Sequence, residues 1–167
     1  QRFLGLKHSE PMGDWTLGAN LGYFRGTEDG SAKAGDLDNR TVSALLSARY
    51  GASTFYVGLQ KVTGDDGWMR VNGTSGGTLA NDTYNSSYDS AREKSWQVRH
   101  DYNFAALGVP GLTLMNRYLS GSNVHTGTVT DGKEWGRETE LAYTLQSGTF
   151  KDLNLRIRNS TIRRDYS

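Results

Sequence analysis

The 167-residue sequence has no cysteine and only 2 prolines. Without thiols there are no disulfide staples and no thiolate metal sites, and a chain of this length can hold a core without either. It is long enough for one domain or for part of a larger one. An excess of one charge is also lacking. Its 19 Lys+Arg offset 18 Asp+Glu, for a net charge of +1, so no bulk basic field exists to bind nucleic acid. Long hydrophobic runs are missing too. The longest mostly apolar stretch, Phe104 to Met115, is too short for a helical membrane span and is cut by Gly108, Pro110 and Gly111. From Gln1 onward no basic segment leads into an apolar one, so no signal peptide is expected and the chain reads as mature, internal or cytosolic. Hydrophobic residues make up 35%, below the usual globular range, while 11% aromatic residues exceed what a disordered chain carries. With 21 glycines, this composition suggests β structure whose strands are apolar on one side only.

Groups that do chemistry are scattered. His8, His100 and His125 have no ligand spacing, and Asp65 and Asp66 precede Gly67 without an EF-hand ladder. The glycine-rich stretch Gly73–Thr78 lacks the lysine of a P-loop, and no G-x-S-x-G occurs. Sequons beginning at Asn39, Asn72, Asn81, Asn85 and Asn159 read as loop and strand polarity. The sequence therefore predicts no catalytic residue, no metal site, no cofactor and no enzyme.

What is present is alternation. Period-2 patterning predicts eight strands: Arg2–His8 (weakly), Trp15–Arg25, Arg40–Tyr50, Thr54–Val62, Lys94–Ala105, Leu112–Ser120, Glu134–Gln146 and Leu153–Arg163. In the second, Trp15, Leu17, Ala19, Leu21 and Tyr23 share one face, and Thr16, Gly18, Asn20 and Gly22 the other. Several strands exceed the ~5–6 residues of soluble sheets and match the roughly 9–11 of a tilted membrane-spanning strand. Short turns at Ser9–Asp14, Gly51–Ser53, Ala106–Gly111 and Ser147–Asp152 alternate with long polar loops at Gly26–Asn39, Thr63–Glu93 and Gly121–Lys133. In an antiparallel up-and-down meander this sorts all short turns to one end, as in outer-membrane barrels. Aromatic residues near strand ends (Trp15, Tyr23, Tyr50, Phe55, Trp96, Phe104 and Trp135) suit interfacial girdles.

Hairpin registers follow from turn centres. One centred on Gly108 pairs Phe104 with Leu112, Tyr102 with Leu114, His100 with Asn116 and Val98 with Tyr118. Its polar face sets Asp101 against Met115 and Arg99 against Arg117. Facing arginines destabilise a sheet unless water, a carboxylate such as Asp101 or a bound anion lies beside them. The last hairpin pairs Leu145 with Leu153, Tyr143 with Leu155, Leu141 with Ile157, Ala142 with Arg156 and Glu140 with Arg158. The Gly51–Ser53 hairpin is expected to pair Tyr50 with Phe55, Ala48 with Val57 and Arg49 with Tyr56. Arg49, Arg99, Arg117, Arg156 and Arg158 then share the polar face with Asp101, Glu138 and Glu140. Such a face attracts anionic groups, and guanidinium can pair bidentately with a carboxylate. His100 and Asn116 fall mid-strand on the apolar side, where a polar pair needs partners or a cover.

The stretch Gly76-Gly77-Thr78-Leu79-Ala80-Asn81-Asp82-Thr83-Tyr84-Asn85-Ser86-Ser87-Tyr88 leads into Lys94-Ser95-Trp96-Gln97-Val98-Arg99-His100-Asp101-Tyr102-Asn103-Phe104. Ala106-Leu107-Gly108-Val109-Pro110-Gly111-Leu112-Thr113-Leu114-Met115 and Gly132-Lys133-Glu134-Trp135-Gly136-Arg137-Glu138 follow. The chain closes on Lys151-Asp152-Leu153 and Arg156-Ile157-Arg158-Asn159. These segments resemble the OprD (Occ) family of substrate-specific outer-membrane porins, most strongly from residue 54 onward. The resemblance implies an all-β fold, an antiparallel up-and-down 18-stranded transmembrane barrel, in the bacterial outer membrane. It also implies an inward-folded constricting loop and a ladder of basic side chains that guides carboxylate-bearing solutes such as amino acids. Arg156 and Arg158 match that ladder; Arg99, Arg117 and Arg49 join it by strand parity, with Asp101, Glu138 and Glu140 as acidic partners.

The resemblance further implies that residues 1–167 are the C-terminal part of one transmembrane barrel domain lacking its last strand. The constricting loop and an opposing electronegative wall are expected to lie outside the chain. A fragment with two open edges would not span a bilayer alone. Expected partners are small carboxylate solutes, outer-membrane lipid and lipopolysaccharide, and further copies in a homotrimer, but not nucleic acid. Two other readings stand beside the porin. One is a closed eight-stranded membrane anchor or adhesin without a pore, which requires the first and last strands to pair. The other is a soluble barrel with an apolar interior.

Overall fold

The computed structural model describes residues 2–28, 37–68 and 79–166. The Gly73–Thr78 stretch and Asn72 lie outside them. Eight strands form one antiparallel sheet: β1 Arg2–Met12, β2 Trp15–Thr27, β3 Asp38–Tyr50, β4 Ser53–Thr63, β5 Lys94–Asn103, β6 Leu112–Thr126, β7 Val129–Thr144 and β8 Asn154–Arg164. Their spatial order is the chain order, so every connection is a hairpin. Among the described residues β1 and β8 do not pair with each other. The sheet is an open arc, not a closed eight-stranded barrel.

Three expectations about the strands need correction. First, Gly121–Lys133 is not a long loop. β6 and β7 run on as a ladder to Thr126 opposite Val129, and the turn between them is Gly127-Thr128, with φ of 55° at Gly127. The apolar alternation stops near Ser120, so the period carried no signal there, yet backbone pairing extends the hairpin. A bulge between Gly121 and Val124 places Asn123 at φ 57°, where its amide donates to the Arg92 carbonyl at 2.8 Å. Secondly, β1 reaches Met12 and includes Pro11, which faces Thr16 one rung before the last pair of the β1–β2 ladder. Thirdly, the β3–β4 turn is tighter than expected. Tyr50 faces Ser53, Ala48 faces Phe55 and Arg49 faces Thr54, because Gly51 takes φ 54° in a two-residue hairpin turn. The slip is two residues, so each side chain keeps its expected face.

The other two registers hold: Arg99 opposes Arg117 and His100 opposes Asn116, and Ala142 opposes Arg156 and Glu140 opposes Arg158. The expected Phe104–Leu112 pair is not made, because Phe104–Leu107 forms a short 3-10 turn. Asn103 caps that turn by accepting from the Ala105 N–H at 2.9 Å.

Polarity is inside out. Leu46, Val57, Leu59, Val98 and Leu141 are exposed on one face, and Thr41, Gln60, Gln97, Arg117 and Glu138 are buried on the other. The soluble barrel with an apolar interior is therefore excluded. On the apolar face Trp15 packs on Tyr50 at 4.8 Å near the short-turn end, and Trp96, Tyr118 and Trp135 form a second cluster with centroids 5.7 and 6.0 Å apart. Deep burial lies between the sheet's polar face and residues 79–93, with Leu79, Tyr88 and Ala91 on the segment and Val62, Leu119 and Val124 on the sheet, and again at Phe24, whose ring packs on Trp68 at 5.2 Å. In the full-length barrel, Val57→Arg should cost about 2–4 kcal/mol of folding free energy. Denaturant titration in lipid vesicles measures it.

Candidate functional site: the lumenal wall

The polar face carries its charges in rows set by the ladder. One row runs Ser47, Tyr56, Arg99, Arg117, Glu138, Ser160 and the next runs Arg49, Thr54, Asp101, Met115, Glu140, Arg158. The facing arginines are neutralised in opposite directions. Arg99 donates from both Nε (2.7 Å) and Nη2 (2.6 Å) to the Asp101 carboxylate, with Tyr56 under its guanidinium at 4.8 Å. Arg117 donates from Nε to Glu138 at 2.6 Å, on the far side. Each guanidinium thus has its own anion, and the cross-strand repulsion expected from the register is removed.

An inward-folded segment lies within the chain. Residues 79–93 between β4 and β5 fold back over the polar face. The Ala80 N–H donates to Ser43 Oγ at 2.6 Å, and the Asn81 N–H donates to Gln60 Oε1 at 3.1 Å. Gln60 Nε2 donates to the Tyr88 carbonyl at 2.7 Å, and Asn81 Nδ2 to Ser95 Oγ at 2.8 Å. Gly136 leaves room for the buried Tyr88 ring, whose hydroxyl occupies the space a Cβ would take.

Tyr84 is the residue that sequence reasoning missed. Its N–H donates to Glu138 Oε1 at 3.0 Å, and its hydroxyl donates to Glu140 Oε2 at 2.7 Å. Its ring carries the Arg158 guanidinium at 4.1 Å and that of Arg117 at 5.1 Å. Burial first, then the hydrogen bond to Glu140, raises the Tyr84 phenol above its ordinary value, so it stays a donor at neutral pH. The Asp82 carbonyl also accepts from Arg117 at 3.2 Å. Nothing in a polar, aperiodic loop marked Tyr84, because its role comes from strands about 30 to 75 positions later in the chain.

The five arginines therefore differ. Arg117 is buried and saturated. Arg99 is held by Asp101. Arg158 donates to Glu140 at 2.5 Å and stays half exposed. Arg156 donates only to Asn154, at 2.5 Å, and has no carboxylate partner among the described residues. Arg49, exposed near the short-turn end, has none either. Arg156, Arg158, Arg99, Arg117, Glu140 and Tyr84 line one concavity of about 760 Å³ that reaches across to Phe3 and Phe24 on β1 and β2; Arg49, Asp101 and Glu138 do not line it. The arrangement turns guanidinium groups toward the concavity. Among the described residues no cluster of three or more His, Asp or Glu could hold a metal.

A polar, arginine-bearing wall with an apolar outer face and an inward-folded loop is the geometry of a porin arc. The profile of the outer membrane porin, OprD family, matches residues 1–167. The chain belongs to the OprD family. It is 64% identical over 166 residues to the porin-like protein GalP of Pseudomonas putida, covering 99% of this chain and 39% of GalP. A crystal structure of a BenF-like porin from Pseudomonas fluorescens Pf-5 superposes with a TM-score of 0.95 at 78% identity, over 99% of this chain and 42% of that one. OccK2 of Pseudomonas aeruginosa in complex with glucuronate gives 0.94 at 67% identity, over 99% and 45%. OpdK of the same species with vanillate gives 0.94 at 50% identity, over 99% and 44%. The chain thus spans about two fifths of the relatives it matches. OprD-family members are outer-membrane channels and not enzymes.

Within this family member the Arg117–Glu138 pair is a structural element. Arg117→Met should cost about 3–5 kcal/mol, because it leaves Glu138 charged and buried. Adding Glu138→Gln should recover part of that loss in a double-mutant cycle read by chemical denaturation.

Proposed function

We propose that the full-length protein is a passive, substrate-selective uptake channel for small carboxylate-bearing solutes such as amino acids. Selection rests on lumen charge and width, with no covalent chemistry. The observation that carries this reading is Arg156, a guanidinium on the lumen wall with no carboxylate hydrogen-bonded to it among the described residues, one rung from Arg158. Arg156 offers the first full charge to a solute carboxylate. Arg158 can then exchange Glu140 for the solute, because the Tyr84 hydroxyl keeps a hydrogen bond on Glu140. Arg49 extends the field toward the short-turn end, while Arg99 with Asp101, and Arg117 with Glu138, set the shape of the passage. The carboxylate ligands of the OccK2 and OpdK structures support the substrate class. The exposed apolar face would meet membrane lipid and lipopolysaccharide.

In the full-length channel, Arg156→Gln with Arg158→Gln should lower uptake of a carboxylate solute by about 10–100-fold, the value of a lost charge-assisted pair. A neutral sugar of similar size should be affected far less. Equal loss of both solutes in liposome uptake would refute selection by these arginines.

We also propose that the channel is a homotrimer, from one observation on the outer face. His100, Asn116, Thr139 and Asn159 form a continuous row across β5–β8, with exposed Arg137 above it. His100 Nε2 lies 3.1 Å from Ser53 Oγ, and Thr139 donates to Asn116 at 2.8 Å. The row lies between the two aromatic clusters, where lipid offers no partner. It borders an outward groove of about 650 Å³. Sedimentation in mild detergent should give a trimer for the unmodified protein, and Asn116→Leu with Arg137→Leu should shift it to monomer. A monomeric unmodified protein would remove this reading.

A further inference from the structure

Glu93 closes the inward-folded segment, one residue before β5. It is fully buried, and its backbone carbonyl accepts from the Val62 N–H at 2.8 Å. Its Oε2 accepts from the Ser90 N–H at 3.0 Å, while its Oε1 has no hydrogen-bond partner. The carboxyl reaches β6 and β7 because Gly121 has no side chain; a Cβ there would strike Glu93 Oε1, the Tyr88 ring and Glu134. Glu134, on β7, is 3% exposed. It accepts from Ser86 Oγ at 3.0 Å and from Arg164 Nε at 2.6 Å.

The groups facing Glu93 are few. Its own segment brings Tyr88 and Asp89; β7 brings Glu134, with Glu138 farther along the strand; β8 and the residues after it bring Arg164 and Tyr166. β6 contributes the uncharged Gly121, and Lys94 of β5 has the parity of the outer face. Arg164 is the one guanidinium or ammonium group among these neighbours, and it is committed to Glu134. Among the described residues, Glu93 and Glu134 therefore share a buried site with a single cation. Burial first, then Glu134, pushes the Glu93 carboxyl up to about 8. Burial also raises the Tyr88 and Tyr166 phenols, so neither adds charge at neutral pH. A proton between the carboxyls would satisfy the lone Oε1 and remove the repulsion.

We propose that Glu93 and Glu134 share a proton and form a pH-operated latch holding residues 79–93 against the lumen wall. The inference does not depend on which solute the channel carries. Docking favours the protonated carboxyl, so the latch contributes fully below the ordinary carboxyl range and is lost as pH rises toward about 8. Tyr84 rides on the same segment. Release would lift it from Arg117 and Arg158, opening the passage and changing the charge it presents.

The test is hydrogen exchange of residues 79–93 in the full-length protein, corrected for the intrinsic pH dependence of exchange. Protection should fall by about tenfold per pH unit between about pH 5 and pH 8, then level off. Glu93→Gln keeps the shape but cannot titrate, so its profile should be flat. Glu134→Gln frees Arg164 to neutralise Glu93 and should flatten the profile as well. Protection that ignores pH in the unmodified protein, or an unchanged slope in both variants, would overturn the latch. Carboxylate uptake by the same preparations separates the two proposals: loss of pH-dependent protection with selective uptake intact removes the latch alone, and the reverse removes the uptake reading alone.

Discussion

Glu138 gathers hydrogen bonds from three parts of the chain, and the wall and its loop both hang on it. Arg117 of β6, Ser160 of β8 and the Tyr84 backbone of the inward segment all donate to its carboxylate. A buried carboxylate is tolerable only with such a set of donors. The requirement works in both directions. The strands need the loop to complete the shell of Glu138, and the loop needs Glu138 and Gln60 to satisfy a backbone that has left regular structure. Loop docking is therefore built into the charge balance of the wall and does not rest on apolar packing alone.

The same balance grades the arginines. A row of basic residues on a strand face is a field; pairing decides which members of it a solute can use. All four lining arginines face one concavity, but Arg117 and Arg99 spend their charge on Glu138 and Asp101, Arg158 pairs with Glu140, and Arg156 has no carboxylate partner among the described residues. Tyr84 stabilises this division by stacking beneath two guanidinium groups while its hydroxyl holds the carboxylate paired with one of them. At the end of the same segment, Glu93 meets Glu134 of β7, and among the described residues Arg164 is the single cation beside the two carboxylates.

Strand parity was legible because lipid and water face opposite sides of one sheet. Every strand that alternates sorted its residues correctly, including Arg49, whose predicted partner was wrong by two positions while its face was right. The β6–β7 extension was not legible, since beyond Ser120 the residues are mostly polar and a bulge breaks the alternation although the ladder continues. The 3-10 turn at Phe104 was hidden for a different reason: its capping by Asn103 is a local backbone choice that an apolar period cannot report.

The sequence by itself determined the all-β class, the inside-out polarity, the strand faces and the family, because these follow from a period-2 pattern and from motifs read along the chain. Tertiary structure alone decided which charges are spent and which remain free. Tyr84, Glu93 and Asp82 sit in a stretch without periodicity, and their partners lie on β6, β7 and β8. Charge pairing is a property of distance in space, and a loop that folds back across a sheet sets those distances without leaving a trace in the spacing of its own residues.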